Sequence, residues 1–196
     1  MSAQSDAILD LFLRTGGYLR GHFRLTSGLH SPEYLQCAVV LQYPEYAAQL
    51  GAALAEALRS LTASVPVQVV GSPALGGIII GHEVARALGA RCIFTERDSS
   101  GAMTLRRGFQ VQRGEVAVVV EDVVTTGGST REVVEVLRAS GAEVIAAGSI
   151  IDRSGGQAQV GAPRVSLATL NVVTYPPEDC PLCRDGQPLT KPGSRR

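Results

Sequence analysis

Glu121 and Asp122 stand side by side where an apolar run ends, in VVVEDVVTTGGST at 118–130. Two carboxylates at the end of a buried strand have a use only if their oxygens meet something polar. A vicinal diol, which both accepts and donates hydrogen bonds, is one such partner. Mg²⁺ held beside a phosphate is another. Thr125-Thr126-Gly127-Gly128-Ser129 follows and opens a helix. A turn of this kind aims successive unpaired backbone N–H groups at one spot, where the helix dipole also favours negative charge, so it suits a phosphate. The glycines let the backbone close on the anion, and the hydroxyls of Thr125, Thr126 and Ser129 can donate further hydrogen bonds. In this reading the acids hold a sugar's hydroxyls and the loop holds its phosphate. The alternative is a plain strand-to-helix turn with solvated acids. The stretch is not a Walker P-loop, which needs a lysine where Ser129 stands. It also lacks the G-x-G-x-x-G spacing of a dinucleotide fingerprint.

Such groups act only if the surrounding elements bring them to the edge of a core. Pro44–Leu61 has helical apolar spacing, with proline suited to the first turn. Val67–Gly71 is a short β-branched run, and Gly77–Leu88 reads as a helix closed by Gly89. Arg91–Thr95 and Val116–Val120 read as strands. Ser129–Ser140 reads as a helix, with Ser129 and Glu132 at capping-box spacing and Gly141 at the stop. Val144–Ile151 is a further strand. This alternation with nearly continuous apolar strands predicts an α/β fold, a mainly parallel twisted sheet with helices on both faces. Ligands then bind at the carboxyl ends of the strands. At the N-terminus a helix is expected with Ile8, Leu9, Phe12 and Leu13 on one face. Residues 15–43 and the polar segment 96–107 interrupt the alternation. The proline-rich tail, 175–196, reads as a surface segment.

The chain of 196 residues is read as one domain, 1–196, large enough for a substantial core. Its 45% hydrophobic and 18% charged residues place it among globular rather than disordered chains. A formal net charge of zero and the absence of a basic stripe give no reason to expect nucleic acid or an anionic membrane surface. Apolar runs are strand-length and no basic n-region opens the chain, so neither a membrane span nor a signal peptide is expected, and the default location is cytoplasmic. Cys37, Cys92, Cys180 and Cys183 are then expected as free thiols. CPLC at 180–183 is a single Cys-x-x-Cys pair, with no second pair nearby to complete a zinc site. Free thiols or a local redox pair are expected there, ahead of a zinc shared across a dimer.

EDVVTTGGST resembles the phosphoribosyl pyrophosphate motif of type I phosphoribosyltransferases. Other stretches narrow the resemblance to the orotate phosphoribosyltransferase family: GHFRLTSGLHSPEYLQ at 21–36, GSPALGGIIIG at 71–81, TLRRGFQV at 104–111 and IIDRSG at 151–156. The resemblance runs in order over nearly the whole chain. It implies transfer of the phosphoribosyl group from phosphoribosyl pyrophosphate to orotate, with Mg²⁺, in a homodimer with shared active sites. It also makes 15–43 a small N-terminal hood and 96–107 a mobile loop.

By the same resemblance, Arg97, Glu121 and Asp122 are catalytic, with Arg97 reaching pyrophosphate across the dimer interface. Val123, Val124, Thr125, Thr126, Gly127, Gly128 and Ser129 join them in binding phosphoribosyl pyrophosphate. Ala74, Leu75 and Gly76 form a pyrophosphate loop, with a cis peptide expected near Leu75–Gly76. Thr125 and Arg153 meet orotate, Arg153 as a guanidinium fork for its carboxylate or a ring carbonyl. Mg²⁺ is held mainly through the substrate, with no dedicated protein ligands. The bland readings are a surface salt bridge for Arg153 and a solvated loop arginine for Arg97.

The chain departs from the family pattern at several points. Gly76 and Thr26 stand where some members carry lysine, and the segment 96–107 has no lysine at all. Neutralising the leaving group is therefore assigned to Arg97 and Mg²⁺, with Arg106 and Arg107 either helping or serving as surface charges. His22, His30 and His82 are read as packing or hydrogen-bonding residues, and Tyr34 as core rather than a base-stacking ring. Two other functions compete: a sensor of phosphoribosyl pyrophosphate without catalysis, and a purine or uracil phosphoribosyltransferase. The absence of a DNA-binding domain or basic face weighs against the first. The hood and Arg153 weigh against the second.

Overall fold

The computed structural model describes residues 3–25 and 27–192. Thr26, a position singled out above, lies outside them, as do Met1, Ser2 and the last four residues of the tail. The elements run α1 (Ala3–Thr15), β1 (Tyr18–Arg24), β2 (His30–Leu35), α2 (Cys37–Leu41), α3 (Pro44–Leu61), β3 (Val69–Pro73) and α4 (Gly77–Leu88). They continue with β4 (Arg91–Arg97), β5 (Met103–Leu105), β6 (Val116–Val124), α5 (Gly128–Ala139), β7 (Glu143–Asp152), β8 (Arg164–Thr169) and a short α6 (Pro181–Arg184).

Six strands form one sheet in the order β5-β4-β3-β6-β7-β8. All pairings are parallel except β4 with β5. The strand order reverses between β3 and β6, and a doubly wound sheet opens its ligand crevice at such a point. Strand alternation divides the core. Val70, Val118 and Val120 face a cluster with Leu50, Leu54, Leu58, Ile80 and Val84 from α3 and α4. Val69, Ala117 and Val119 face Val133, Val134 and Leu137 of α5. Helices therefore cover both faces, as the alternating periods predict.

α3 and α4 have the bounds their periodicity predicts, and Gly89 ends α4 in a left-handed conformation. Other boundaries shift. β6 runs on through Val124, because Val123 and Val124 pair with Ile151 and Asp152 of β7. Glu121 and Asp122 therefore lie inside the strand rather than beyond it. β8 has no counterpart among the predicted strands. On α1, Phe12 is fully buried and Ile8 nearly so, but Leu13 is 57% exposed and leaves the predicted apolar face.

The irregular segment near the N-terminus is a two-stranded antiparallel ribbon, β1 with β2. The segment 96–107 is largely a hairpin. β4 extends to Arg97 and pairs back with Met103–Leu105, and Arg107 grips Glu96 at 2.7 and 2.8 Å. The tail leaves β8, bridges β2 at Tyr175 and returns to bridge β1 at Thr190. No helix among the described residues is long and apolar enough to cross a membrane.

Candidate active site

A cavity of about 640 Å³ opens at the carboxyl ends of β4, β6 and β7, where the strand order reverses. Its floor is the run Glu121–Thr130. Arg97, Glu132 and Arg153 stand around it, and the ribbon adds Arg24, Leu25 and Tyr34.

The two acids have different surroundings. Glu121 is buried, with the Thr130 hydroxyl 3.4 Å from its carboxylate on the α5 side. Asp122 accepts a hydrogen bond from the Val123 N–H at 2.8 Å and stands against Gly76. Burial raises the Asp122 carboxyl above its ordinary value, and the Val123 N–H offsets this only in part. A Cβ built on Gly76 would lie 2.6 Å from Asp122 Oδ2, so only glycine lets this turn approach the Asp122 side chain so closely. Ala74, Leu75 and Gly76 do not line the cavity. Of the three only Gly76 abuts Asp122, and the cis peptide is Ala74–Leu75, one bond earlier than expected.

Gly127, at φ 81, is the N-cap of α5, a backbone conformation that a Cβ disfavours. The helix starts at Gly128, one residue before the predicted cap, and no side chain caps it. The backbone ladder of α5 begins with the Arg131 N–H on the Gly127 carbonyl at 2.9 Å, and Gly128, Ser129 and Thr130 ahead of it line the cavity with Thr125 and Thr126. The capping box expected of Ser129 and Glu132 does not form. The Glu132 carboxylate instead meets Arg97 at 2.6 Å, while Arg97 also donates to the Gly101 carbonyl at 2.6 Å.

Arg153 enters from the end of β7. Its backbone N–H donates to the Val124 carbonyl at 2.8 Å, which ties it to the phosphate-type loop. Its Nε is buried with no hydrogen-bond partner, and its guanidinium lies 6.0 Å from the centre of the Tyr34 ring. Burial lowers the Arg153 pKa from its ordinary value. Tyr34, read from sequence as core, is a cavity residue. The turn that presents Arg153 is held by the buried Asp152. That carboxylate accepts hydrogen bonds from the Ser154 N–H and hydroxyl at 2.7 and 2.6 Å and pairs with Arg164 at 2.8 Å.

Two cationic lining residues, Arg24 and Lys191, escaped the sequence reading. Lys191 is the only lysine of the chain, and it reaches the cavity because the tail pairs with β1. Its uniqueness in a lysine-poor chain was the one available signal. Arg106 and Arg107 do not line the cavity, and His82 is exposed on α4.

A mainly parallel sheet whose crevice holds a Thr/Gly turn at a helix start, two adjacent acids and a basic rim is the arrangement of a phosphoribosyltransferase. The family model for the phosphoribosyl transferase domain matches residues 38–177, and the chain belongs to that family. Within it, the chain is 53% identical to the orotate phosphoribosyltransferase of Heliobacterium modesticaldum over 97% of its own length and 98% of the relative's. It is also 53% identical to that of Pelotomaculum thermopropionicum, over the same shares. The crystal structure of orotate phosphoribosyltransferase from Aeropyrum pernix superposes with a TM-score of 0.66 at 28% identity, covering 83% of this chain and 93% of that one. The particular group is thus the orotate phosphoribosyltransferases.

Proposed function

We propose that this cavity transfers the 5-phosphoribosyl group of phosphoribosyl pyrophosphate to orotate, giving orotidine 5′-monophosphate and pyrophosphate. The observation that carries the reading is a juxtaposition. A buried guanidinium with an unpartnered Nε, above the Tyr34 ring, shares one cavity with the Thr125–Ser129 loop. A carboxylated pyrimidine offers that guanidinium a charge-assisted partner and offers the ring a flat face. Uracil and purines lack the carboxylate, so this feature favours orotate over them.

The 5′-phosphate sits on the amides and hydroxyls of Thr125–Ser129. Glu121 and Asp122 accept hydrogen bonds from the ribose 2′ and 3′ hydroxyls. As the ring nitrogen of orotate bonds to C1, the bond from C1 to the pyrophosphate oxygen breaks, and positive charge builds on the ribose as in glycoside transfer. In this reading the two carboxylates stabilise that charge and Arg97 neutralises the leaving group, while Lys191 adds a further cation to the cavity lining. The orotate ring nitrogen is already acidic, so no strong base is required.

The all-oxygen donor set of Glu121, Asp122 and the threonine hydroxyls suits Mg²⁺ rather than a softer metal. Among the described residues, no group of three acids, imidazoles or thiolates gathers at this cavity, so most of the ion's ligands would be substrate oxygens and water. When bound it neutralises pyrophosphate charge. A homodimer with shared sites accords with the apolar Leu75 and Ile79, 73% and 45% exposed at the start of α4.

The test is a spectrophotometric assay of purified protein with Mg²⁺, orotate and phosphoribosyl pyrophosphate. Loss of orotate absorbance that requires every component is the expected result. Tight phosphoribosyl pyrophosphate binding with no turnover would favour the sensor instead.

A further inference from the structure

We propose that His22, His30, Cys180 and Cys183 bind a structural zinc ion that fastens the C-terminal segment to the N-terminal ribbon. The four residues come from the two ends of the chain. Their ligand atoms nevertheless all lie within 4.8 Å of one another. His22 Nε2 is 2.9 Å from His30 Nδ1, 3.5 Å from Cys180 Sγ and 3.7 Å from Cys183 Sγ, and Cys183 Sγ is 3.3 Å from His30 Nδ1. Around a tetrahedral zinc with ordinary bond lengths, two nitrogens stand about 3.3 Å apart and a nitrogen and a sulfur about 3.6 Å. These four edges thus come within about half an ångström of the required tetrahedron, and the two from Cys180 to His30 and to Cys183 are no longer than 4.8 Å. Two imidazoles and a Cys-x-x-Cys pair with no open position form a closed site, structural rather than catalytic.

The surroundings fit metal ligation. His22 Nδ1 lies 2.9 Å from the Gln187 carbonyl. A carbonyl only accepts, so Nδ1 carries the proton and the Nε2 lone pair faces the cluster, the usual outer support of a metal-bound imidazole. His22, His30 and Cys180 are 3%, 5% and 0% exposed, while Cys183 closes the group at the surface.

The tail has little apolar burial to hold it otherwise. From Asn171 to Pro192 the only buried side chain is that of Cys180. A few backbone hydrogen bonds hold the tail on either side of the cluster: Tyr175 with His30, and Thr190 with His22 and Arg24. Small segments without a core commonly rely on a metal, whose binding free energy then becomes folding free energy. Binding releases both thiol protons to solvent and leaves two thiolates on the ion. The consequence reaches the cavity, because Arg24 and Lys191 flank the paired segments.

The test uses the untagged full chain, expressed with zinc in the medium and purified without chelator. Elemental analysis should find about one zinc per chain. It should fall to trace in Cys183→Ser and in His30→Ala and stay unchanged in Cys92→Ser. Should those variants not fold, Co²⁺ exchanged into the wild-type protein should show the intense d–d bands and thiolate charge-transfer of a tetrahedral S₂N₂ site. Trypsin should cut after Arg184 much faster once the metal is removed. Zinc-free wild-type protein with a silent Co²⁺ spectrum, or a Cys180–Cys183 disulfide in its place, would overturn the proposal. So would zinc retained by a Cys180→Ser, Cys183→Ser double variant, or a tail equally protected with and without metal. None of these readouts needs substrate, so the outcome is independent of the transferase reading.

Discussion

The Arg97 guanidinium and the Glu132 carboxylate meet at 2.6 Å across the rim of the cavity, joining the end of β4 to the first turn of α5. Both side chains are at least one-third exposed, so the pair adds little stability, about 0–1 kcal/mol at most. Its importance is electrostatic: Glu132 occupies the cation assigned to the leaving pyrophosphate. Glu132→Gln should lower the KM for phosphoribosyl pyrophosphate severalfold and leave Tm within about 2–4 °C of wild type. Arg97→Ala should cut kcat by about 10²–10³. Steady-state kinetics and a thermal melt check both, and an unchanged KM in Glu132→Gln would show that the pair does not compete with substrate.

Gly76 and Asp122 are coupled by space alone. Gly76→Ala sets a methyl group 2.6 Å from the Asp122 carboxylate and must displace it. The variant should fold with a near-native melt and lose turnover nearly as severely as Asp122→Asn. The double variant should be little worse than either single one, which a double-mutant cycle on kcat/KM would reveal. Full additivity would remove the coupling.

Arg153→Ala should raise the KM for orotate by about 10- to 10²-fold, the loss expected of a charge-assisted pair worth about 1.5–3 kcal/mol. Binding of phosphoribosyl pyrophosphate should be nearly unchanged. Titration calorimetry with each substrate separates the two. A loss confined to phosphoribosyl pyrophosphate would overturn the assignment of Arg153.

Asp152 sets an acid limit on stability. Burial alone would raise its carboxyl, but Ser154 and Arg164 together hold it below the ordinary value. A depressed folded pKa contributes stability that is complete above the unfolded value, about 3.9, and is lost as pH falls through the folded one. Tm measured downward from pH 6 should therefore drop in the acid range, and Asp152→Asn should show a lower Tm at neutral pH with a flatter acid slope. Parallel curves for the two proteins would assign the acid transition elsewhere.

Sharing of sites between subunits is open to a mixing experiment. Arg97→Ala and Asp122→Asn chains, each inactive, should regain activity when refolded together if Arg97 serves its partner's cavity. Sedimentation should show a dimer. A dimer without regained activity would place Arg97 in the site of its own chain, where it stands in the single subunit.

The strand, loop and helix carrying Glu121 to Ser129 are legible because they depend on neighbours. A β-branched run, two glycines and a 3.6-residue period act over a few residues, and contiguous chemistry survives small errors of boundary. α3 and α4 were read to their ends for the same reason. Local reading failed where a distant partner decided the outcome. Glu132 left its expected capping box for Arg97, 35 residues away. β6 continued through the acids because β7 pairs there, and Tyr34 left the core for a ring contact with Arg153.

The ends of the chain mark that boundary most sharply. Sequence alone determined the fold class and the strand, turn and helix that carry Glu121 to Ser129, and it named the candidate residues of the reaction. Only tertiary structure placed Lys191 at the cavity and set Cys180 and Cys183 against His22 and His30, between 150 and 161 residues upstream. A search for metal ligands along the chain sees one Cys-x-x-Cys pair and stops. Periodicity and turn chemistry are short-range and leave a pattern in the sequence. The return of the tail onto the ribbon rests on backbone hydrogen bonds between distant segments, which any residue except proline can donate and which therefore leave none.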